Sequence, residues 1–333
     1  MLQERPVAVL GLAGLVVVLL AVVATAFTAD EQNRSPNGEE SVVTTGTATT
    51  LPFAPSVTVT ARDYSFEVPP EIEGGVVRVT LQNSGKMKHE AVIVAAGDTP
   101  MDRLKQDLTQ VVSGEGQPTP DYLRFQGGVS LVPGGTSEMS FLTLPAGDYV
   151  MVCTLTDADS LTTELLPDGA GPPPKDEELH FHYDLGMATP FTVKKTNNAP
   201  MPPTDATVVA RDWAFEVPAL VPGFKVLTFR NDGQQAHSLA VAEFPDRVDE
   251  ARAKAAFEKL LAADPDHPVP DNTPVPQDVA FAGPLSPGGH STFPMNLKVH
   301  RTYVFACYMT DRTGGPLHAT GKGMVTYATT PNG

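Results

Sequence analysis

Short runs of apolar residues bounded by turn residues dominate the pattern of this chain. Three such runs near the start of its globular part are rich in β-branched residues: Val57–Thr60, Val76–Leu81 and Ala91–Val94. Runs of this kind are typical of strands, and their close spacing is typical of a sandwich or barrel. The 32 prolines and 28 glycines among 333 residues agree with a turn-rich chain. The pattern predicts an all-β fold.

Two segments instead space their apolar residues as an amphipathic helix does. Each follows a predicted strand that carries a histidine, so we expect one short helical insertion in each half of the chain. The apolar positions that share a helical face are Leu104, Leu108 and Val111 in the first segment, and Ala253, Ala256, Phe257, Leu260 and Leu261 in the second.

An internal repeat divides the chain. The segment ARDYSFEVP at 61–69 returns as ARDWAFEVP at 210–218, with seven of nine residues identical at an offset of 149. Three further motifs recur in the same order: an Asn-x-Gly before a histidine (83–89 and 231–237), a Pro-Gly-Gly turn (133–135 and 287–289), and Tyr-Val-x-x-Cys-x-x-Thr-Asp (149–157 and 303–311). Four ordered matches predict a duplication into two domains of the same fold.

The N-terminus predicts export. Val7–Phe27 contains no charged residue, and as a helix it would rise about 31 Å, close to the thickness of a bilayer core. It fits either an uncleaved signal anchor or a secretory signal cleaved after Ala24-Thr25-Ala26. We expect residues 1–27 to be this anchor or signal, 28–54 a flexible tether, 55–196 the first domain, 197–202 a linker and 203–333 the second domain.

Charge excludes one class of partner. The chain has 23 basic and 39 acidic residues, which leave a net charge of −16. Binding to nucleic acid, or to an anionic lipid surface through charge alone, is therefore not expected.

The two cysteines occupy equivalent positions in the two repeats. A Cys153–Cys307 disulfide would require both domains to present the same interior strand to each other, and a buried inert thiol is the second alternative. Metal binding is the third and the favoured one, because a thiolate, two imidazoles and a weak axial thioether make a mononuclear copper site. The residues that occur in this order are His89, Cys153, His182 and Met187 in the first repeat, and His237, Cys307, His318 and Met324 in the second.

At these residues the sequence resembles the cupredoxins, the family of plastocyanin and azurin. The resemblance covers both repeats, and it implies tandem eight-stranded Greek-key sandwiches, one type 1 copper ion per domain, and outer-sphere electron transfer. It also implies that the two sets of four residues are copper ligands.

Two spacings depart from the family pattern. Cys153 and His182 are 29 residues apart, whereas Cys307 and His318 are 11 apart, and Met324 follows its histidine by one residue more than Met187 does. His180 competes with His182 for the second imidazole position. The distance to Met187 favours His182.

These observations favour an electron carrier held at the extracytoplasmic face of a membrane, or secreted if the N-terminal segment is cleaved. Its partners would be redox proteins at that membrane, and no enzymatic activity is expected. A multicopper oxidase or nitrite reductase needs further paired histidines, and only His180-Phe181-His182 is paired. Copper storage or delivery, or a metal-free binding module, remains the alternative.

Overall fold

The computed structural model describes residues 53–95, 97–112, 117–156, 180–263, 269–270 and 272–331, and only the backbone of residues 130 and 131. The predicted N-terminal anchor or signal and nearly all of the tether lie outside these residues. Within the described part of the chain, no helix has the length and apolar character needed to cross a bilayer.

Among its described residues, the first repeat forms eight strands and two short helices. The elements are β1 Ser56–Arg62, β2 Ser65–Glu67, β3 Glu71–Asn83, β4 His89–Ala95, α1 Met101–Val112, β5 Arg124–Val132, β6 Ser137–Leu144, β7 Gly147–Val152, α2 His182–Leu185 and β8 Ala188–Thr196.

The second repeat forms the same elements in the same order. They are β9 Ala206–Arg211, β10 Ala214–Glu216, β11 Gly223–Asn231, β12 His237–Glu243, α3 Glu250–Leu261, β13 Gln277–Leu285, β14 His290–Leu297, β15 Thr302–Ala306, α4 His318–Gly321 and β16 Val325–Thr329.

Each repeat is a sandwich of two sheets. In the first repeat one sheet has the order β2-β1-β3-β6 and the other has the order β3-β8-β7-β4-β5. Strand β1 runs parallel to β3, and β3 runs parallel to β8, while the remaining neighbours are antiparallel. The second repeat has the orders β10-β9-β11-β14 and β13-β12-β15-β16. The predicted all-β fold of two cupredoxin-like Greek-key sandwiches is confirmed.

Strand β3 belongs to both sheets of its sandwich, and a glycine pair marks the crossing. Residues before Gly75 pair with β8, and residues from Gly75 onward pair with β6. Gly75 has a φ of 83°, in the region that favours glycine, and a Cβ there would lie 2.5 Å from the Asn197 carbonyl oxygen. The strand can therefore bend between the sheets only with glycine at this point.

The two predicted helical insertions are confirmed, and each covers the outer face of its sheet. Leu104, Leu108 and Val111 of α1 are buried against the outer residues of β4, such as Val92. In the second repeat Ala253, Ala256, Phe257 and Leu260 of α3 pack on the outer residues of β12 and β15. Strands β4 and β12 are therefore buried on both faces, which makes them rigid supports for the histidines at their first positions.

The two sandwiches join edge to edge. Strand β5 meets β13 at Gln126 and Leu285, and β6 meets β14 at Leu142 and Ser291. The Phe125 backbone N–H donates to Ser286 Oγ at 2.9 Å, and the Ser286 N–H donates to the Phe125 carbonyl at 2.8 Å. The predicted domain bounds stay a prediction.

Candidate metal centres

Each repeat brings one cysteine and two histidines together in its interior. In the first, Cys153 Sγ lies 3.5 Å from His182 Nδ1 and 3.9 Å from His89 Nδ1, and the two Nδ1 atoms are 3.2 Å apart. In the second, Cys307 Sγ lies 3.4 Å from His318 Nδ1 and 3.6 Å from His237 Nδ1. The side chains of both groups are fully buried. Both groups therefore present one sulfur and two imidazole nitrogens to a common point.

The separations fit a single ion. An ion bonded to nitrogen at about 2.0 Å and to sulfur at about 2.3 Å in a trigonal plane needs donor atoms roughly 3.5–3.8 Å apart. The five measured separations scatter around that range. The donor set of one thiolate and two imidazoles is the equatorial set of a blue-copper centre.

The two cysteines do not pair with each other. Both thiols lie in the interior outside any disulfide, and each lies beside the histidines of its own repeat. The disulfide alternative is therefore excluded by their placement.

Backbone hydrogen bonds hold Cys153, His182 and Met187 in one unit. The Cys153 N–H donates to the Met187 carbonyl at 3.1 Å, and the Met187 N–H donates to the His182 carbonyl at 2.8 Å. The same two bonds recur between Cys307, Met324 and His318, at 3.2 and 3.0 Å. Both methionines are fully buried, so each thioether lies in the same core as its thiol.

The extra residue before Met324 is absorbed in the turn. In the first site Gly186 caps the short helix α2, and its N–H donates to the His182 carbonyl. In the second site Lys322 makes this bond to the His318 carbonyl, and Gly323, with a φ of 66°, takes the additional position. The two methionines consequently reach equivalent backbone positions despite their different spacing.

The 29-residue spacing between Cys153 and His182 is also compatible with the geometry of the second site. Thr156 forms a β-bridge with Phe181, just as Thr310 bridges to Leu317 in the second repeat. Thr156 and Phe181 therefore hold positions equivalent to those of Thr310 and Leu317 at the two ends of the shorter second loop. His182 lies in the buried group, whereas His180 is exposed.

An aspartate supports the first histidine of each site. The outer nitrogen of His89, Nε2, is 3.3 Å from Asp63 Oδ1, and that of His237 is 3.1 Å from Asp212 Oδ1. Burial would raise the pKa of Asp63, but hydrogen bonds from the Met87 and Lys86 N–H groups and from His89 outweigh it and lower the pKa. An ionised carboxylate only accepts, so it fixes the proton on Nε2 and leaves the Nδ1 lone pair facing the cysteine.

An aromatic ring from the next position covers the second histidine. The Tyr64 ring meets that of His182 edge to face at 5.4 Å, and the Trp213 ring meets that of His318 at 5.0 Å. Tyr64 and Trp213 have φ angles of 65° and 71°, which are uncommon for bulky residues. A single turn between two short strands thus supports one imidazole through a carboxylate and covers the other with a ring.

A glycine in each repeat allows the aspartate to lie close to the first histidine. A Cβ at Gly233 would lie 2.5 Å from Asp212 Oδ1 and 2.9 Å from His237 Nε2, and Gly85 is crowded in the same way by Asp63. The preceding Asn83 and Asn231 are buried, and each donates from its side chain to two carbonyls and accepts from the glycine N–H. The repeated Asn-x-Gly motif therefore positions the loop that delivers the first histidine.

Sequence reasoning missed the four turn residues Asp63, Tyr64, Asp212 and Trp213 as parts of the sites. The sequence does contain a signal for these four residues, because they lie in the segment that is most similar between the two repeats. That segment was interpreted only as a marker of the duplication.

Burial keeps the cysteine and the histidines of the second site uncharged when no metal is bound. It raises the pKa of the Cys307 thiol to about 11 and lowers the pKa of His318 to about 4, with His237 adding to the second shift. At neutral pH the second site therefore holds a neutral thiol and neutral imidazoles. An incoming cation would displace one proton, the thiol's.

Solved structures of blue copper proteins are among those similar to this chain. Auracyanin from Roseiflexus castenholzii is 26% identical, with 38% of this chain and 94% of that chain covered and a TM-score of 0.24. Auracyanin A from Chloroflexus aurantiacus is 16% identical, with 37% and 95% covered and a TM-score of 0.23. A blue copper oxidase from Nitrosomonas europaea is 13% identical, with 84% and 86% covered and a TM-score of 0.21.

Comparison with protein-family models and with curated proteins gave no match. Because the TM-scores describe weak superposition, the cupredoxin-like character of the chain rests on its strand order and on its two Cys–His–His groups.

Proposed function

We propose that the protein is an electron carrier with two type 1 copper centres, one in each sandwich. The observation that carries this proposal is the pair of buried groups in which one cysteine sulfur and two histidine Nδ1 atoms converge. His89, Cys153, His182 and Met187 would hold one ion, and His237, Cys307, His318 and Met324 would hold the other.

The chain would contribute fixed geometry. Copper, when bound, supplies one-electron chemistry between its cupric and cuprous states. The first histidine of each site sits on a strand buried on both faces, and the carboxylates of Asp63 and Asp212 hold that imidazole in one tautomer. Ligands that cannot move much suit a centre that must accept and release an electron without rearrangement.

The proposed setting is extracytoplasmic. It is supported by the uncharged segment Val7–Phe27 of the sequence, which would export the sandwiches and tether them to the membrane or be cleaved. The partners would be redox proteins at that membrane surface. We propose a carrier rather than an enzyme, because His180-Phe181-His182 is the one paired-histidine motif in the sequence, whereas a multicopper oxidase or nitrite reductase needs several.

Copper loading of the full chain tests this proposal. We expect two copper ions per chain and an intense visible thiolate-to-copper absorption band that bleaches reversibly on reduction. Each of the variants Cys153→Ser and Cys307→Ser should lose one copper and about half of the band, and the double variant should lose all of it. Metal analysis and absorption spectroscopy measure both quantities.

Other outcomes would assign another function. A colourless protein that binds only cuprous ion would favour storage or delivery. No bound copper in the wild-type chain would contradict the proposal and leave a metal-free sandwich.

A further inference from the structure

The second site is sealed from solvent. His237, Cys307, His318 and Met324 have no exposed surface. Nε2 of His318, the ring nitrogen that does not face Cys307, is buried and has no hydrogen-bond partner among the described residues. An electron that enters or leaves this site must therefore pass through the protein atoms that surround the ligands.

Trp213 is a side chain that both touches a ligand and reaches the surface. Its ring stands at 85° to the His318 ring with the centroids 5.0 Å apart, and the residue is only partly buried. The backbone holds Trp213 at a φ of 71°, a conformation that costs energy for a bulky residue. Tyr64 has the same placement against His182. Both repeats have an unfavourable backbone conformation at this position, which indicates that the position of the ring has a role in the site.

Lys322 contacts the Trp213 ring, and Asp311 in turn pairs with Lys322. Lys322 Nζ lies 4.6 Å from the ring centroid, which is cation–π geometry. The same ammonium pairs with Asp311 Oδ2 at 3.2 Å. Asp311 follows Cys307 by four residues and Lys322 precedes Met324 by two, so both charges are anchored to the segments that carry the ligands.

We propose that the Trp213 ring is the route by which single electrons pass between the second site and a redox partner, and that Lys322 positions this ring. The inference rests on the proposed function of the site. The step transfers one electron: a one-electron donor is oxidised, cupric copper is reduced to cuprous, and no bond or proton is exchanged. The partner would dock over Trp213 and Lys322, because the ligands themselves are covered.

The first test measures electron exchange in full-length protein that carries Cys153→Ser, so that only the second site contributes. The reduced protein is mixed with hexacyanoferrate(III) in a stopped-flow instrument, and the loss of the oxidant is followed. Relative to this background, Trp213→Leu should react more slowly by about tenfold, equivalent to roughly 1.4 kcal/mol of barrier. Trp213→Phe, which keeps an aromatic ring, should stay close to the background. Phe224→Leu, which removes an exposed ring of the second repeat outside the sites, is the control and should leave the rate unchanged.

Copper content, the thiolate band and the reduction potential are measured for each variant. A Trp213→Leu protein with an intact band and potential that reacts as fast as the background, or faster, would overturn the route, since the ring would then be an insulating cover. If the Leu variant loses copper, Trp213→Met fills similar space without a π system and is judged by the same criterion. Absence of the band in the Cys153→Ser background itself would instead contradict the proposed function.

The second test needs no copper. Trp213 is the one tryptophan of the chain, so intrinsic tryptophan fluorescence reports its surroundings directly. In the copper-free protein we expect Lys322→Gln to shift the emission to longer wavelength and to increase quenching by acrylamide. Lys259→Gln, on the exposed face of α3, should change neither. Identical emission and quenching for Lys322→Gln and the wild type would overturn the positioning role.

Discussion

At the scale of single residues, duplication made the candidate ligands visible. One cysteine, two histidines and one methionine in a given order carry little information in a single domain. Their recurrence in the same order in both repeats indicates a shared role. The structure brings the cysteine and both histidines of each set together, and it places His182 rather than His180 in the first group. Whether these residues bind copper stays a prediction.

The supporting residues could not be assigned from sequence in the same way. Asp63 and Asp212 precede their histidines by 26 and 25 residues, and nothing in the strand pattern says that a turn will fold back onto an imidazole. The contact depends on the parallel pairing of β1 with β3 and of β9 with β11, which is a long-range property.

Asp212→Asn is expected to weaken copper binding at the second site by roughly 10- to 100-fold, as for other partners that orient a ligating histidine. The amide can also donate to Nε2, so it no longer specifies the tautomer that leaves Nδ1 free. The affinity is measured in the Cys153→Ser background by competition with a chelator.

Asp232→Asn is the matched control, because Asp232 pairs on the surface with Arg230 and touches no ligand. Its affinity should equal that of the background. An Asp212→Asn protein that also retains the background affinity would show that the carboxylate does not support the site.

At the scale of elements, sequence located the centres of strands better than their ends. The run Val76–Leu81 lies within β3, which extends from Glu71 to Asn83, and Ala91–Val94 lies within β4. The ends depend on pairing: the start of β3 is a strand because β8 lies beside it, although Glu71 and Glu73 give no β-branched signal. The turn between the second histidine and the methionine likewise depends on what packs against it.

Gly186→Ala is expected to damage the first site. Gly186 has a φ of 134°, which L residues rarely adopt, and an added Cβ would lie 2.5 Å from the Tyr64 carbonyl oxygen. Strain and overpacking together should lower the free energy of unfolding by about 2–4 kcal/mol. The backbone shift should also reduce the thiolate band of the first site, measured in a Cys307→Ser background.

Gly323→Ala in the second site is the comparison. Gly323 has a φ of 66°, but no atom lies within 4 Å of the position of an added Cβ. Only the left-handed conformation is unfavourable for alanine, so the free energy of unfolding should fall by about 1 kcal/mol. The thiolate band of the second site should be retained. An equal decrease in the free energy of unfolding for the two variants would show that the contact with the Tyr64 carbonyl does not contribute to the damage.

At the scale of the whole molecule, sequence predicted two sandwiches but not how they join. Strands β5 and β13 come together where Gly127, Gly128 and Gly283 allow a close approach, since a Cβ on Gly283 would lie 3.2 Å from backbone atoms of the other two. These glycines look like ordinary turn or strand glycines in the sequence. His290 Nε2 lies 3.0 Å from Thr143 Oγ1 across the junction between the two sandwiches.

The carboxyl group of Asp278 should make the free energy of unfolding of the chain depend on pH. It lies on β13 in register with Ala242, and burial raises its pKa from 3.8 to about 6, although Lys88 of the first repeat acts in the opposite direction. Between these pH values the folded chain keeps a proton that the unfolded chain has lost. The associated stabilisation is complete below about pH 4 and is lost as the pH rises through about 6, a change of roughly 2–3 kcal/mol.

Asp278→Asn should abolish this part of the pH dependence, because the amide does not ionise. The measurement is urea denaturation of copper-free protein at several values between pH 4 and 7.5, followed by circular dichroism. The variant should be more stable than the wild type at pH 7.5, and the difference should shrink toward pH 4. Asp98→Asn, at an exposed position, should follow the wild type throughout. A constant difference between Asp278→Asn and the wild type across this range would contradict the prediction, since the half-buried carboxyl would then not be titrating.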